Sequence, residues 1–353
     1  MKSLMRIAFA ASCMAAITAC AGGVQNGTSP VMQSQASDTQ QNGRRVPDMV
    51  PGSTSLAAHR TTGTHPIATQ QNIPGGTLFV VDYNGGSAQT GAVQLYKYPS
   101  GKYIGELSPP PSGFAYPEGA CSDPKGNVYI VNNNAGFAGG SIVEYSHAGK
   151  YMRVLADPGG FPVTCAIDPN SGDLAVANNV AFNYTAGGVE IYKKGKLPAT
   201  LYSEPSMFYY LFAGYDGSGT LYVDGLASDH STFEFGSLRG GSFTNITLQG
   251  ATVAFPGFVG WSTVGQTMNV GDQLNAVAYQ VDASGKVTGS TPLTASGDIV
   301  GATIDGSRLI GPDAQNRDVR IFAYPSGGSP LKTFGSGQFS EPIGTAVSRR
   351  TKG

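Results

Sequence analysis

Apolar residues in this chain come in runs of four or five, broken by Gly, Asp, Asn and Pro, and from Pro117 onward the same order of runs recurs. A short apolar segment leads to a tight Asp/Gly turn, then to an apolar run that ends in Asp or Asn. A loop follows, then another apolar run, a second Gly turn and a fourth run. The first two elements of each copy read GACSDPKGNVYIVN (119–132), TCAIDPNSGDLAVAN (164–178), FAGYDGSGTLYVD (212–224), FVGWSTVGQTMNVGD (258–272) and VGATIDGSRLIGPD (300–313). A sixth opening, IGTAVS (343–348), stops there. Runs of this length between turn residues predict strands. No long stretch after residue 30 shows the three-and-four spacing of a helix. Runs such as LFVV, VYIV and LAVA are apolar at every position, which fits strands buried on both faces.

Successive copies start about 42–48 residues apart, the blade period of a β-propeller. The first recognisable segment, GGTLFVVDYNGG (75–86), begins at a second strand, and AVQLYKY (92–98) and KYIGEL (102–107) supply the third and fourth. The N-terminal part thus lacks a first strand, which the C-terminal IGTAVS provides. The expected fold is all-β: a six-bladed propeller of four-stranded antiparallel blades, closed by a 3+1 shared blade. The blades are expected at approximately 75–110 with 341–349, 117–157, 162–203, 208–249, 255–294 and 298–335, within a domain over 73–350. The turns PSGK (99–102), HAGK (147–150) and ASGK (283–286) each carry a Gly expected to supply the positive φ of a hairpin. Composition agrees: 50 Gly and only 13% charged residues suit many short strands joined by turns.

The start of the chain is a different object. A basic lead, Met1 to Arg6, precedes an apolar run from Ile7 to Ala19, too short to span a membrane as a helix. The run ends Ile17-Thr18-Ala19-Cys20. This resembles the lipobox of bacterial lipoproteins, in which the Cys becomes the lipidated first residue. The resemblance implies a signal peptide over 1–19, lipid on Cys20 and, with Ala21 following, an outer-membrane destination. Ordinary cleavage near Ala19 is the alternative. Residues 20–72 are rich in Gln, Ser, Thr, Gly and Asn and carry no aromatic residue, so a disordered tether is expected. Such a coil would span about 40 Å. Asn26, Asn183 and Asn245 match the glycosylation pattern but are read as turn and surface residues.

The strand endings FVVD, YIVN and YVD, with the third strands VQLYKYPSG, IVEYSHAG and VRIFAYPSG, resemble NHL-repeat and related six-bladed propellers over residues 75–350. Families of that shape include protein-binding scaffolds, glycan binders, lactonases and lyases, so the resemblance implies architecture before activity. The recurring Asp82, Asn132, Asn178 and Asp224 are expected to cap loop backbone, since a residue repeated in blade after blade is structural.

Candidate ligand contacts sit where second-to-third-strand loops meet the links between blades. The links carry Phe114, Tyr116, Phe161, Phe208, Tyr209, Tyr210, Phe255 and Phe258, with the single Trp261 just beyond; the loops carry Tyr83, Asn133, Asn134, Phe137, Phe182, Asn183 and Tyr184. Rings supply area and amides supply hydrogen bonds, a combination suited to glycans, peptides or apolar partners. Packing wedges between blades are the competing role for the link aromatics.

Catalysis finds thin support. His230 is the one His in an expected top-face loop, and His147 falls in a turn on the far face. Glu118, Asp298 and Glu341 occupy equivalent links and could converge on a divalent cation, as a metal-dependent lactonase or lyase would need. Asp168 to Asp173 superficially suggests a Ca²⁺ loop, but lacks its length and closing Glu and aligns with hairpin turns elsewhere. No phosphate-binding glycine motif or GxSxG is present, and a net charge of −1 argues against nucleic acid. Cys121 and Cys165 lie in first strands of neighbouring blades, two and three residues before their turn acids. That parity puts them on opposite sheet faces, and two free thiols are favoured over a disulfide. The leading expectation is a monomeric, lipid-anchored binding or scaffold module for an envelope protein, peptide or glycan, with a non-enzymatic role favoured and no cofactor expected. The alternative is the metal-dependent enzyme at the channel mouth.

Overall fold

A computed structural model of the chain describes residues 76–134, 139–181 and 183–349. The signal segment, Cys20, the tether, Phe137 and Phe182 lie outside these residues. The strands in chain order are β1 (Gly76–Asp82), β2 (Ala92–Tyr98), β3 (Lys102–Glu106), β4 (Pro117–Ser122), β5 (Val128–Asn132), β6 (Gly140–Tyr145), β7 (Tyr151–Asp157) and β8 (Gly160–Ile167). They continue as β9 (Leu174–Ala181), β10 (Ala186–Tyr192), β11 (Ala199–Tyr202), β12 (Tyr209–Tyr215), β13 (Leu221–Leu226), β14 (Phe233–Arg239), β15 (Ser242–Asn245) and β16 (Pro256–Ser262). The last are β17 (Thr267–Asp272), β18 (Val277–Val281), β19 (Val287–Pro292), β20 (Thr303–Asp305), β21 (Arg308–Asp313), β22 (Asp318–Ala323), β23 (Lys332–Phe334) and β24 (Pro342–Arg349).

They form six four-stranded antiparallel sheets in a ring, each following chain order except one. In that sheet the order is β24-β1-β2-β3, so the C-terminal strand is the inner strand of the N-terminal blade, as the truncated repeat predicts. The seam runs in register from Gly76↔Arg349 to Asp82↔Pro342. Without it β1 would present a row of unpaired amides and carbonyls, an edge that invites association.

The second strand of each blade is buried on both faces, and alternate residues serve opposite neighbours. In β1, Leu78 and Val80 pack with Ile310, Val319 and Ile321 of the blade behind. Phe79 and Val81 pack with Val128, Ile130 and Val143 of the blade ahead. A strand that serves two interfaces has no polar face, which is why these runs are apolar at consecutive positions. The Gly of the third-to-fourth-strand turns takes the left-handed backbone: φ is +65° at Gly101, +75° at Gly149 and +87° at Gly285.

Around the axis the inner strands approach backbone to backbone. A Cβ on Gly119 would stand 2.5 Å from the Val163 carbonyl oxygen, and one on Gly344 2.6 Å from that of Glu118. Glycine there lets neighbouring blades close without a collision. Hydrogen bonds even cross between blades at this level: the Gly301 N–H donates to Gly257 O at 2.8 Å, and Thr345 N–H to Gly301 O at 3.1 Å.

One expectation is overturned. Cys121 and Cys165 form a disulfide, with Cα atoms 5.6 Å apart. The two cysteines do lie on opposite faces of their own sheets, yet that does not separate them. In a ring of like-oriented sheets, the forward face of one blade meets the rearward face of the next. Opposite parity is therefore the condition for two side chains to meet. The bridge lies beside Tyr129, Val131, Leu174 and Val176, in the core between the second and third blades.

Two outcomes follow from this architecture. A chain ended at Ser340 loses β24 and every pairing of its register with β1; it is expected to lose cooperative thermal unfolding altogether, read by circular dichroism. Replacing both cysteines by Ala opens a covalent loop of 44 residues. The chain-entropy model puts that at about 4 kcal/mol, to be read as a lower denaturant midpoint, with a steeper slope because the unfolded chain without the cross-link exposes more surface.

Candidate functional site

The second strand of each blade carries a buried Asp or Asn at or within three residues of its end: Asp82, Asn132, Asn178, Asp224, Asp272 and Asp313, none more than 1% exposed. The reason lies in the first strands, five of which break register where they enter the sheet, near Pro342, Pro117, Pro162, Phe212 and Pro256. A bulge leaves amides without ladder partners, and the strand-end side chain takes them up. Asp82 accepts from Ser340 N at 3.0 Å and Glu341 N at 2.6 Å. Asn132 accepts from Ala115 N at 2.8 Å, Asp224 from Phe212 N at 3.0 Å and Asp272 from Ala254 N at 2.9 Å. Asp313 takes both Gly297 N and Asp298 N. Asn178 departs from this pattern, its Nδ2 donating to Asp157 Oδ1 at 3.4 Å; the other five side chains fasten an inter-blade link to its own blade and so help fix the top face, where links and second-to-third-strand loops meet.

Burial has an electrostatic cost. Asp82 is pushed up to about 6 by desolvation, against which the Glu341 and Ser340 amides act. Asp224, fully enclosed, is also raised well above the ordinary carboxylate range by burial, opposed by the Phe212 amide. Asp157 at the end of β7 is raised by burial and by the Glu190 carboxyl beside it.

The top face gathers several of the predicted aromatics in pairs. The Tyr83 and Tyr116 ring centroids are 5.2 Å apart, Phe161 and Tyr184 5.7 Å, Phe208 and Tyr209 4.8 Å. His230 lies against Tyr209, its Nε2 2.8 Å from the phenol oxygen. Tyr184 is 58% exposed, whereas Phe161, Phe255, Phe258 and Tyr209 are buried. Tyr83, Tyr116 and Phe208 are half-buried. Phe114 and Tyr210 are buried as well, so most link aromatics act as wedges between blades. His147 sits in the far-face turn after β6, its Nδ1 2.7 Å from Ser348 Oγ.

Glu118 Oε1 accepts from Asn133 Nδ2 at 2.5 Å, and Glu341 Oε2 from Asn84 Nδ2 at 2.5 Å. Asp298 is engaged through its backbone, its carbonyl accepting from Ala314 N at 2.9 Å. Among the described residues, no three His, Cys, Asp or Glu side chains are grouped closely enough to hold a metal ion.

The inner strands enclose a central channel holding a cavity of about 270 Å³. Its mouth carries Glu118, Asn179, Phe212 and Phe255; its walls are Val163, Val259, Val300, Ala302 and the Cys121–Cys165 bridge; Tyr215, Trp261 and Ile304 line its lower part. Glu118 is the one carboxylate among the described lining residues. The hydroxyls of Ser122, Thr164, Thr303 and Thr345 add polarity. Sequence reading passed over these hydroxyls, Phe212 and Tyr215, because in the repeat they are merely alternate positions of the first strand.

The described residues therefore make up a six-bladed β-propeller with an apolar channel and an aromatic top face. No family model matches the chain, and no curated protein matches it. Among solved structures it is similar to a chain of the nidogen/laminin complex, at 14% identity over 78% of this chain and all of the other, with a TM-score of 0.63. A streptogramin B lyase structure is similar at 15% identity over 62% of this chain and 68% of the other, with a TM-score of 0.46. The virginiamycin B lyase of Staphylococcus aureus gives 15%, 62%, 69% and 0.46 for the same quantities. At such identities the likeness is one of fold.

The Asp82 shift has a defined sign. Between the ordinary carboxylate range and about 6, the unfolded chain is ionised while folded Asp82 keeps its proton. Its contribution to stability is full below pH 4 and lost as pH rises through 6. Asp82→Asn, which mimics the native Asn132, should gain melting temperature relative to the parent as pH goes from 4 to 7. Paired melts across that range check it; a constant difference would show that Asp82 ionises normally.

Proposed function

We propose that the protein is a lipid-anchored binding module of the bacterial cell envelope, held by Cys20 in the outer membrane, whose propeller presents its top face to an envelope protein, peptide or glycan. The observation that carries this reading is the set of ring pairs on that face, with Tyr184 standing 58% exposed beside Phe161, and the Tyr209–His230 pair beside Phe208. Exposed aromatics on a rigid scaffold supply contact area with little side-chain entropy to lose. The related ring in the nidogen/laminin complex is that of a propeller in a protein–protein assembly. The lipobox and the NHL-like strand pattern support the anchoring and the family type. The metal-dependent alternative draws less support, because among the described residues no three His, Cys, Asp or Glu side chains are grouped closely enough to hold a metal ion.

The test is direct. The full chain is passed over immobilised arrays of envelope peptides and peptidoglycan fragments, and the hits are measured again with Tyr184→Ala and His230→Ala combined. The expected result is at least a tenfold loss of affinity, about 1.4 kcal/mol, at unchanged melting temperature. Affinity indifferent to both substitutions would remove the top face from consideration.

A further inference from the structure

The channel below its mouth is a second, separate feature. Glu118, the one carboxylate among the described lining residues, stands at the mouth and is bonded to Asn133. Below it no described lining side chain carries a charge. An ion entering that space would lose its hydration without meeting a counter-charge. The occupant that fits is therefore uncharged.

The hydroxyls narrow its class. Ser122 Oγ donates to Val347 O at 2.9 Å, Thr303 Oγ1 to Thr345 O at 2.7 Å, and Thr345 Oγ1 to Gly301 O at 3.2 Å. A hydroxyl has one proton and two lone pairs, and here each proton is already given to a backbone carbonyl. What these side chains hold out to a ligand is acceptor capacity. Strand register places two of them at the depth of two aromatic residues. Ser122 pairs with Val128 and Trp261 with Met268, each four residues ahead of the buried Asn132 or Asp272. Thr303 pairs with Ile310 and Tyr215 with Leu221, each three ahead of Asp313 or Asp224. The two hydroxyls and two rings thus lie within one residue step, about 3.4 Å along the strand. The cavity of about 270 Å³ exceeds the roughly 150 Å³ in which an apolar site takes up benzene, so one substituted ring fits.

We infer that the channel is a binding site for a small uncharged phenol, whose ring lies against Trp261 and Tyr215 and whose hydroxyl donates to Ser122 or Thr303. A phenol brings an aromatic face for those rings, a donor for hydroxyls that have spent their own, and no charge at neutral pH. The neighbouring classes fit worse: an aryl ether lacks the donor, and an aryl carboxylate brings a charge into the uncharged stretch. The site is independent of partner binding by the top-face aromatics and stands or falls separately from it.

The chain contains a single tryptophan, Trp261, and it lines the channel, so its emission maximum reports occupancy without a label. The full chain is titrated by calorimetry, with the emission followed in parallel, against 4-ethylphenol, its isomer 4-methylanisole and 4-methylbenzoate. The first two contain the same atoms, and only the phenol has a hydrogen-bond donor. The phenol is expected to bind one to one, to shift the Trp261 emission, and to bind about fivefold more tightly than the ether, the worth of one hydrogen bond. The benzoate is expected to bind most weakly. Ser122→Ala with Thr303→Val is expected to bring phenol and ether within twofold of each other, and Tyr184→Ala with His230→Ala to leave their ranking as it is in the parent. The inference is overturned if phenol and ether bind equally to the parent protein, if the phenol leaves the Trp261 emission unaltered up to millimolar concentration, if a folded Ser122→Ala, Thr303→Val protein keeps the preference, or if the Tyr184→Ala, His230→Ala protein loses phenol binding. Should the channel variant fail to fold, the ranking and the Trp261 response of the parent protein decide alone.

Discussion

The pairing of β24 with β1 is the interaction on which everything else in this molecule rests. Sheets arranged face to face in a ring bury their flat surfaces only while the ring stays shut. An opened seam would expose Leu78, Val80 and their partners in the last blade as well as the strand edge itself. The register from Gly76 to Asp82 is therefore a condition for all six interfaces, and not a local contact. It also explains why the innermost strands tolerate such close backbone approach. A closed ring fixes the inter-blade distance, and Gly119, Gly301 and Gly344 stand where that distance leaves no space for a side chain.

The buried acids express a second constraint, that of changing direction. Each link must turn from the outer rim of one blade into the axis of the next, and the entering strand bulges as it does so. Orphan amides result, and the cheapest remedy is a short acceptor on the strand already lying beside them. Blade two uses Asn132 for this task and blades one, four, five and six use Asp. An Asp in that place accepts strongly when ionised but resists ionisation because it is enclosed, and the raised Asp82 is the visible compromise. Structural demand is thus enough to explain titratable groups that in another setting would suggest catalysis.

Much of the architecture was legible in the chain. A repeat of fixed order, interrupted at both ends in complementary places, specifies blade number and closure, because only one joining of LFVVD with IGTAVS completes a sheet. The turn glycines and the apolar second strands were readable from the same repeat. The site was less so, because its geometry belongs to the ring and not to any blade. Glu118, Asp298 and Glu341 look equivalent along the sequence, yet neighbouring asparagines claim two of them and backbone turns engage the third. The aromatics before each link look alike too, although Phe161 and Phe255 face inward and Tyr184 outward. The Cys121–Cys165 bridge shows the difficulty at its sharpest: strand parity was counted correctly, but what parity means depends on the rotation relating one blade to the next.

Gly76 and Arg349 are Cα partners at the far-face end of the seam, so the two ends of the propeller leave it side by side. Closure therefore does not depend on where along the ring the covalent chain happens to be cut. A few residues could join these ends, and new termini could be opened in the link between Asn245 and Pro256, with every sheet kept whole. The shared blade would then become an ordinary one. In that sense the order of elements along this gene product is one of several linear readings of the same circular object, and the folded ring does not record which of them was used.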